Sequence, residues 1–319
     1  MSKETEKAIN GLHRFLEEHG GVNSEEELQE MLNQYMTEYN NSLRFQPELS
    51  EANAETSEDW LELAEEAENP NDAVRFAKKS LSLDPNNYDA AVFLIDLENE
   101  LPHIQLEHLN SLFEKATAHM EETGHIPQDV GDFWGVYGTR PYMRLLATKM
   151  HIEKESGMFL EAIRDGEEIL RLNSHDNMGI RSALMGLYAL LLKEAEAEKL
   201  IEKYDRDGYI ETSLFLPLSI LHFRLGKLEK AKEILLQLNK ANPDTKKFFR
   251  SAINGDLEPY FADMPEEGYR PNTMDEYLVT MQDEYYLLSQ SRSYVMWADE
   301  TLKHQTRSRT KTSKSRKKH

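Results

Sequence analysis

The chain of 319 residues contains no cysteine. Without thiols it has neither a disulfide framework nor thiolate ligands for zinc. No apolar run approaches the roughly 20 residues that a transmembrane helix needs, and the N-terminus lacks the basic and apolar regions of a signal peptide. We therefore expect a cytoplasmic protein that makes no membrane contact.

The sequence also lacks the common signatures of catalysis. It has no Gly-x-x-x-x-Gly-Lys phosphate loop and no His-Glu-x-x-His pair, and no strand precedes a serine in a nucleophile elbow. His119 and His125 straddle Gly124 at a predicted helix end, where surface histidines are more common than metal ligands. Neighbouring carboxylates such as Glu65 and Glu66 are typical of a solvated helix face. The sequence predicts no enzyme, no cofactor and no metal.

Basic residues are scarce outside the C-terminus. The chain has 37 Lys and Arg against 58 Asp and Glu, a formal net charge of −21. Eight of the basic residues, and no acidic one, fall between Lys303 and His319, so residues 1–302 carry −29. Such a body repels phosphate backbones and anionic lipids. Nucleic-acid binding would have to depend on the C-terminal tail alone, and we expect none.

What the chain does have is an internal repeat. Ala162, Ala197 and Ala231 lie 35 and 34 residues apart, each in a segment whose apolar residues recur at helical spacing. Gly157 and Gly226 stand five residues before the first and third alanine, where a tight turn between antiparallel helices favours a residue without Cβ. Similarity at such a period is typical of stacked helix pairs.

Two further spacings complete the pattern: Tyr188 stands nine residues before Ala197, and Pro243 stands twelve after Ala231. Together these residues resemble the tetratricopeptide repeat (TPR). The segments 139–144, 167–172 and 176–181 are similar to those of an uncharacterised group of bacterial TPR proteins. The resemblance implies an all-α, right-handed solenoid of antiparallel helix pairs, whose concave face holds a peptide or a partner helix.

Composition and capping signals divide the chain into five predicted regions. Capping boxes begin at Ser24 and Thr273, each before a segment of helical periodicity. The regions are an acidic N-terminal helical hairpin (1–39), a linker (40–57), a TPR-like solenoid (58–255, with regular units at 143–243), a C-terminal loop with capping helices (256–302) and a disordered basic tail (303–319). Solenoids need such terminal caps because the last repeat would otherwise expose its apolar face.

The repeat register predicts which side chains line the concave face. The candidate partner-binding residues are Arg144, His151, Ser182, Ile220 and Phe223. TPRs that clamp the acidic C-terminal peptide of a chaperone present several cations on this face, whereas nine register positions here include one, Arg144. An apolar groove suits an amphipathic partner segment, or the protein's own terminal helices.

A second group of residues has the chemistry of anion contact. Arg140, Tyr142 and Arg181 stand near loop glycines, and arginines with a tyrosine bind carboxylates or phosphates. The alternative is that the arginines pair with nearby acids such as Asp176 and Glu153 and fix the loop 123–140. The acidic composition favours this second interpretation.

These observations predict a non-catalytic protein–protein interaction module: an adaptor, co-chaperone or scaffold that binds a protein or peptide. Two alternatives stay open. One is a nucleic-acid-associated factor that uses the basic tail. The other is a peptide-sensing TPR receptor, although such receptors usually carry a helix-turn-helix domain, for which neither end of the chain offers a clear signal.

Overall fold

The computed structural model describes residues 8, 11–12, 15–16, 19, 24–45, 49–98, 101–204, 208–265 and 268–303. These residues form an all-helical structure, and no strand occurs among them. The chain divides into two compact units, Met1–His175 and Asp176–His319. The boundary falls within the run of regular repeats predicted for 143–243.

Eight helices have both ends within the described residues of the first unit. They are α1 (Glu25–Phe45), α2 (Ser57–Glu66), α3 (Pro70–Leu83), α4 (Tyr88–Leu97), α5 (Pro102–Glu122), the short α6 (His125–Gln128), α7 (Arg140–Glu155) and α8 (Phe159–Leu172). A 3-10 turn, Tyr137–Thr139, leads directly into α7.

The second unit is built in the same way over its described residues. Its helices are α9 (Ile180–Leu190), α10 (Glu194–Tyr204), α11 (Thr212–Arg224), α12 (Leu228–Ala241), α13 (Thr245–Asn254), α14 (Glu258–Ala262), α15 (Met274–Gln290) and α16 (292–303). The predicted capping signal at Thr273 is confirmed, because its side chain accepts a hydrogen bond from the backbone of Asp275 at the start of α15.

Helices that follow one another in sequence pack as pairs, notably α2 with α3, α7 with α8, and α11 with α12. The three register alanines, Ala162, Ala197 and Ala231, have no exposed surface. At the third of them the two helices of the pair touch, since the Ser219 hydroxyl of α11 donates to the Ala231 carbonyl of α12 at 2.9 Å. Small side chains at these positions let neighbouring helices approach closely.

The turns inside the pairs α7–α8, α9–α10 and α11–α12 share one backbone design. Gly157, Leu192 and Gly226 have left-handed backbone angles, with φ of 77°, 58° and 75°. In each turn the following residue donates its backbone N–H to the carbonyl oxygen five residues earlier, at 2.8, 2.9 and 2.8 Å. This is the Schellman end of a helix, a motif in which glycine is usual at the left-handed position. The middle turn therefore carries a leucine where the other two carry glycine.

At the N-terminus the prediction of a hairpin is tested only at scattered residues, because most of 1–23 lies outside the described residues. Tyr35 of α1 donates its hydroxyl to the Ala8 carbonyl at 2.5 Å, and its ring lies 5.6 Å from that of Phe15. Helix α1 continues to Phe45, so residues 40–45 belong to a helix and not to the predicted linker. No proline or glycine interrupts the helix before Pro47, which disfavours helical backbone at the residue before it.

The segment 123–140 packs against the end of α8. The backbone N–H groups of Gly131 and Phe133 both donate to the Leu172 carbonyl, at 2.9 and 3.0 Å, and Phe133 is fully buried. These bonds satisfy a carbonyl that the helix end leaves without an intrahelical partner. Residues 304–319 of the predicted basic tail lie outside the described residues, and α16 is described as far as Lys303.

A buried charge cluster joins α7 to α8. The Lys149 ammonium donates to the Glu153 carboxylate at 2.5 Å and to the Asp165 carboxylate, and all three side chains are at most 9% exposed. Burial raises the pKa of Glu153. Two carboxylates share one ammonium here, and the exposed Arg164 also lies 3.8 Å from Asp165, so Lys149 is the only buried cation of the cluster.

Candidate functional site

The partner-binding residues predicted for the second unit lie on α9 and α11, which pack against each other. We call this surface, formed by Ser182, Gly186, Ile220 and Phe223, the α9–α11 face. Ser182 donates to the Ser213 hydroxyl at 3.0 Å, which ties the two helices together. Ile220 has no exposed surface. Helix α15 packs against both α9 and α11.

Helix α16 covers the aromatic end of this face. The Phe223 ring lies 5.5 Å from that of Tyr294 and 5.1 Å from that of Trp297. Tyr294 is fully buried and donates its hydroxyl to Ser219 of α11 at 2.8 Å, and burial raises its pKa. Aromatic pairs at such separations contribute about 0.5–1.5 kcal/mol beyond their buried area. Phe223 therefore already has aromatic partners from its own chain.

An ion pair also joins α16 to α13. Arg250 of α13 donates its Nε to the Asp299 carboxylate at 3.1 Å, and Lys303 also contacts that carboxylate. The Asp299 side chain is 9% exposed, whereas that of Arg250 is 52% exposed. The arginine end of this pair is thus open to solvent, so the pair contributes less than a fully buried one.

Helix α15 places a buried carboxylate against α9. At Glu284 the backbone leaves helical geometry, with φ −121° and ψ 22°, and the side chain is 2% exposed. Tyr286 donates its hydroxyl to the Glu284 carboxylate. A Cβ on Gly186 would collide with the Glu284 carboxylate. The absence of a side chain at position 186 is what makes room for this carboxylate.

The start of α15 is tied to α11 through the backbone. The Glu276 carboxylate accepts hydrogen bonds from the N–H of Thr212 at 3.3 Å and of Asn272 at 2.9 Å. The Tyr277 and Thr245 hydroxyls also share a hydrogen bond of 2.8 Å. Because the first N–H groups of a helix have no intrahelical acceptor, Glu276 acts as a cap for α11 supplied by another helix.

In the first unit, the two predicted partner-binding residues have different surroundings. Arg144 makes two hydrogen bonds to the Asp89 carboxylate, at 2.8 and 2.7 Å, which join α7 to α4. His151 is 63% exposed and lies 3.2 Å from the Glu155 carboxylate. The only cation predicted for the concave face is thus neutralised by an internal carboxylate, while His151 is accessible.

The three predicted anion contacts all bond within their own unit. Arg140 is buried, donates its Nε to the Trp134 carbonyl at 2.8 Å and lies 4.1 Å above the Tyr137 ring. Tyr142 is buried and shares a 3.1 Å hydrogen bond with Thr117, and burial raises its pKa to about 12. Both residues therefore fix local structure.

Arg181 bonds to two acids. Its guanidinium donates to Asp176 at 2.8 Å and to Glu211 at 3.1 Å. It also lines a shallow pocket with Tyr204 and Tyr209. Two carboxylates already balance its charge, which supports the acid-pairing alternative for Arg181. Arg140 contacts a backbone carbonyl and aromatic rings instead, and Glu153 pairs with Lys149.

Sequence reasoning missed a cluster formed by α10 and α11. Within the described part of the chain, Glu194, Glu198 and His222 are brought together so that one potential ligand atom from each lies within 4.8 Å of the others. Burial lowers the pKa of His222, which is 3% exposed. The Lys227 ammonium lowers the pKa of Glu194. The separation of 28 positions between Glu194 and His222 conceals the pairing, which arises because consecutive helix pairs stack.

None of the helices in the described ranges combines the length and the apolar character needed to cross a bilayer. No known protein family matches the chain, and no curated protein is significantly similar to it in sequence.

Proposed function

We propose that this protein is a non-catalytic interaction module, an adaptor, co-chaperone or scaffold, whose repeats form a TPR-like solenoid. We further propose that its partner supplies an amphipathic helix with aromatic residues, which binds the α9–α11 face in place of α16. The observation that carries the proposal is the contact of Phe223 with Tyr294 and Trp297. This face accepts aromatic side chains from a helix.

The solenoid part of the proposal is supported by three features that recur together. Consecutive pairs α7–α8, α9–α10 and α11–α12 each have a buried alanine at the register position, and each has the same left-handed turn five residues before it. Repetition of one supersecondary unit is the defining property of solenoids.

The nature of the partner is inferred from the helix that now occupies the site. In α16, Tyr294, Ala298 and Leu302 are buried and lie at intervals of four residues, while Met296 and Glu300 are exposed. Helices that bind in grooves present anchors at such intervals. A partner helix with the same spacing of aromatic and apolar residues would reproduce these contacts once α16 has moved.

Photo-cross-linking in cells tests this proposal. A photoreactive amino acid replaces Phe223, and a matched control places it at Leu228, which is 45% exposed. We expect position 223, but not position 228, to cross-link to another protein, and the yield to rise when Trp297→Ala weakens the hold of α16. Cross-links from position 223 only to the protein's own α16, in both backgrounds, would reject the proposal.

A second variant tests the face by charge. Ile220→Asp together with Phe223→Asp should abolish partner capture, because two carboxylates cannot be buried under an apolar helix without a large desolvation cost. Circular dichroism must show that helicity is retained. Arg144 and His151 stay predicted partner contacts. Because His151 is the accessible one of the two, the variant His151→Ala is tested for partner capture in the same assay.

A further inference from the structure

We propose that Glu194, Glu198 and His222 form a binding site for one divalent transition-metal ion, with zinc as the test ion, which clips α10 to α11. The proposal is independent of the partner-binding function. It starts from a pair of atoms: the Nδ1 of His222 and the Oε1 of Glu194 lie 3.2 Å apart.

Both atoms are buried, and neither has a hydrogen-bond partner. The His222 side chain is 4% exposed, and its Nδ1 lies beside the carboxylate without forming a hydrogen bond to it. Buried polar atoms without a bonding partner cost free energy. We therefore expect an atom that bonds to both the Nδ1 of His222 and the Oε1 of Glu194. A metal ion is one such atom.

The spacing suits a metal ion of zinc's size. An ion placed about 2.1 Å from both atoms, the usual length of zinc bonds to histidine and carboxylate, would subtend an angle of about 100° between them. This angle is close to tetrahedral. Glu198 stands one helical turn after Glu194 on α10 and supplies the third ligand. Three protein ligands leave the fourth position for water.

Two lysine side chains lie beside the carboxylates, and a metal ion would have to displace their ammonium groups in order to bind. Lys227 contacts Glu194, and Lys230 lies 2.9 Å from Glu198 and 3.6 Å from Glu194. Their side chains are 44% and 54% exposed, so each can turn into solvent on a flexible stem. The ammonium groups neutralise the acids but leave the Nδ1 of His222 without a bond, which a metal would provide.

Titration of the full-length protein with zinc, followed by calorimetry, tests the site. We expect one equivalent to bind, cobalt to give the visible spectrum of a tetrahedral site, and zinc to raise the melting temperature. His222→Gln should remove all three effects. The matched control is His151→Gln, because His151 also lies 3.2 Å from a carboxylate but is exposed; this variant should bind zinc as the wild type does.

Two surface variants keep the test valid if His222→Gln fails to fold. Glu198→Gln, at a side chain 49% exposed, should weaken binding. Lys230→Gln should strengthen it by removing the competing cation, whereas Lys232→Gln on the same helix should not. Equal zinc binding by wild type, His222→Gln and Glu198→Gln, or no tightening in Lys230→Gln, would overturn the proposal.

Discussion

Replacing Leu192 by glycine should relieve a strained turn, provided that the loss of the leucine side chain is accounted for separately. Leu192 has φ of 58° and is 42% exposed. The left-handed conformation costs an ordinary residue about 1–2 kcal/mol. Glycine avoids this cost but loses about 0.5–1 kcal/mol more than alanine in backbone entropy. The Leu192→Gly chain should therefore be more stable than the Leu192→Ala chain by about 0.5–1 kcal/mol.

The comparison with Leu192→Ala isolates the energetic effect of the backbone conformation, because both variants lack the leucine side chain. The two glycine turns supply the reverse experiment. A Cβ added at Gly157 or Gly226 meets no atom within 4 Å, so Gly157→Ala and Gly226→Ala change the backbone preference without a clash. Each should destabilise by the same amount that separates the two Leu192 variants.

Urea unfolding followed by far-ultraviolet circular dichroism measures these differences, and thermal unfolding provides a second reading of about 2–4 °C per kcal/mol for a domain of 150–250 residues. Gly226→Ala is the closest match because it lies in the same unit as Leu192. If Leu192→Ala proves as stable as Leu192→Gly while Gly226→Ala is destabilised, the three turns do not share one geometry and the reasoning fails.

Three further outcomes are expected. Lys149→Met leaves two buried carboxylates without their cation and should lower the free energy of unfolding by about 3–5 kcal/mol in urea titrations; a loss below 1 kcal/mol would contradict the buried cluster. Gly186→Ala places a methyl group on the Glu284 carboxylate and should cost about 1–3 kcal/mol, with Glu284→Ala in the same chain restoring most of it. A chain ending at Leu302 should bind RNA as weakly as the full-length protein in gel shifts, because the acidic body competes for the basic tail; a salt-sensitive shift seen only with the full chain would argue for nucleic-acid binding.

The sequence predicts the helices well because their signals are local. The alanine spacing, the capping residues and the helical periodicity each act within a few residues, and they locate all three pairs between α7 and α12. The middle turn was hidden, since Leu192 takes the left-handed backbone conformation that glycine takes in the other two. The end of α1 was missed because Asn40, Asn41 and Ser42 are polar and interrupt the apolar spacing, although no helix-breaking residue follows before Pro47.

The predicted site shows where local signals stop being sufficient. Glu153, Tyr188 and His222 all stand nine residues before a register alanine, and all three are buried. The repeat thus identifies an inward position, but the contacts made there differ. Glu153 pairs with Lys149 one turn earlier on its own helix, whereas His222 lies beside Glu194 of the preceding helix pair. Likewise, Phe223 was correctly assigned to α11, but its aromatic partners lie about 70 residues further along the chain.

The aromatic contact under α16 also gives the protein an intrinsic fluorescence probe of the position of this helix. The chain has three tryptophans, of which Trp60 and Trp134 belong to the first unit. With these two replaced by phenylalanine, emission comes from Trp297 alone, whose ring lies 5.7 Å from that of Tyr294, close enough for that tyrosine to pass on its excitation. Departure of α16 from α11 would move the indole into water and shift its emission to longer wavelength, while Tyr294, which lies on the same helix, would stay beside it. Label-free fluorescence would then report the fraction of molecules in which the face is open.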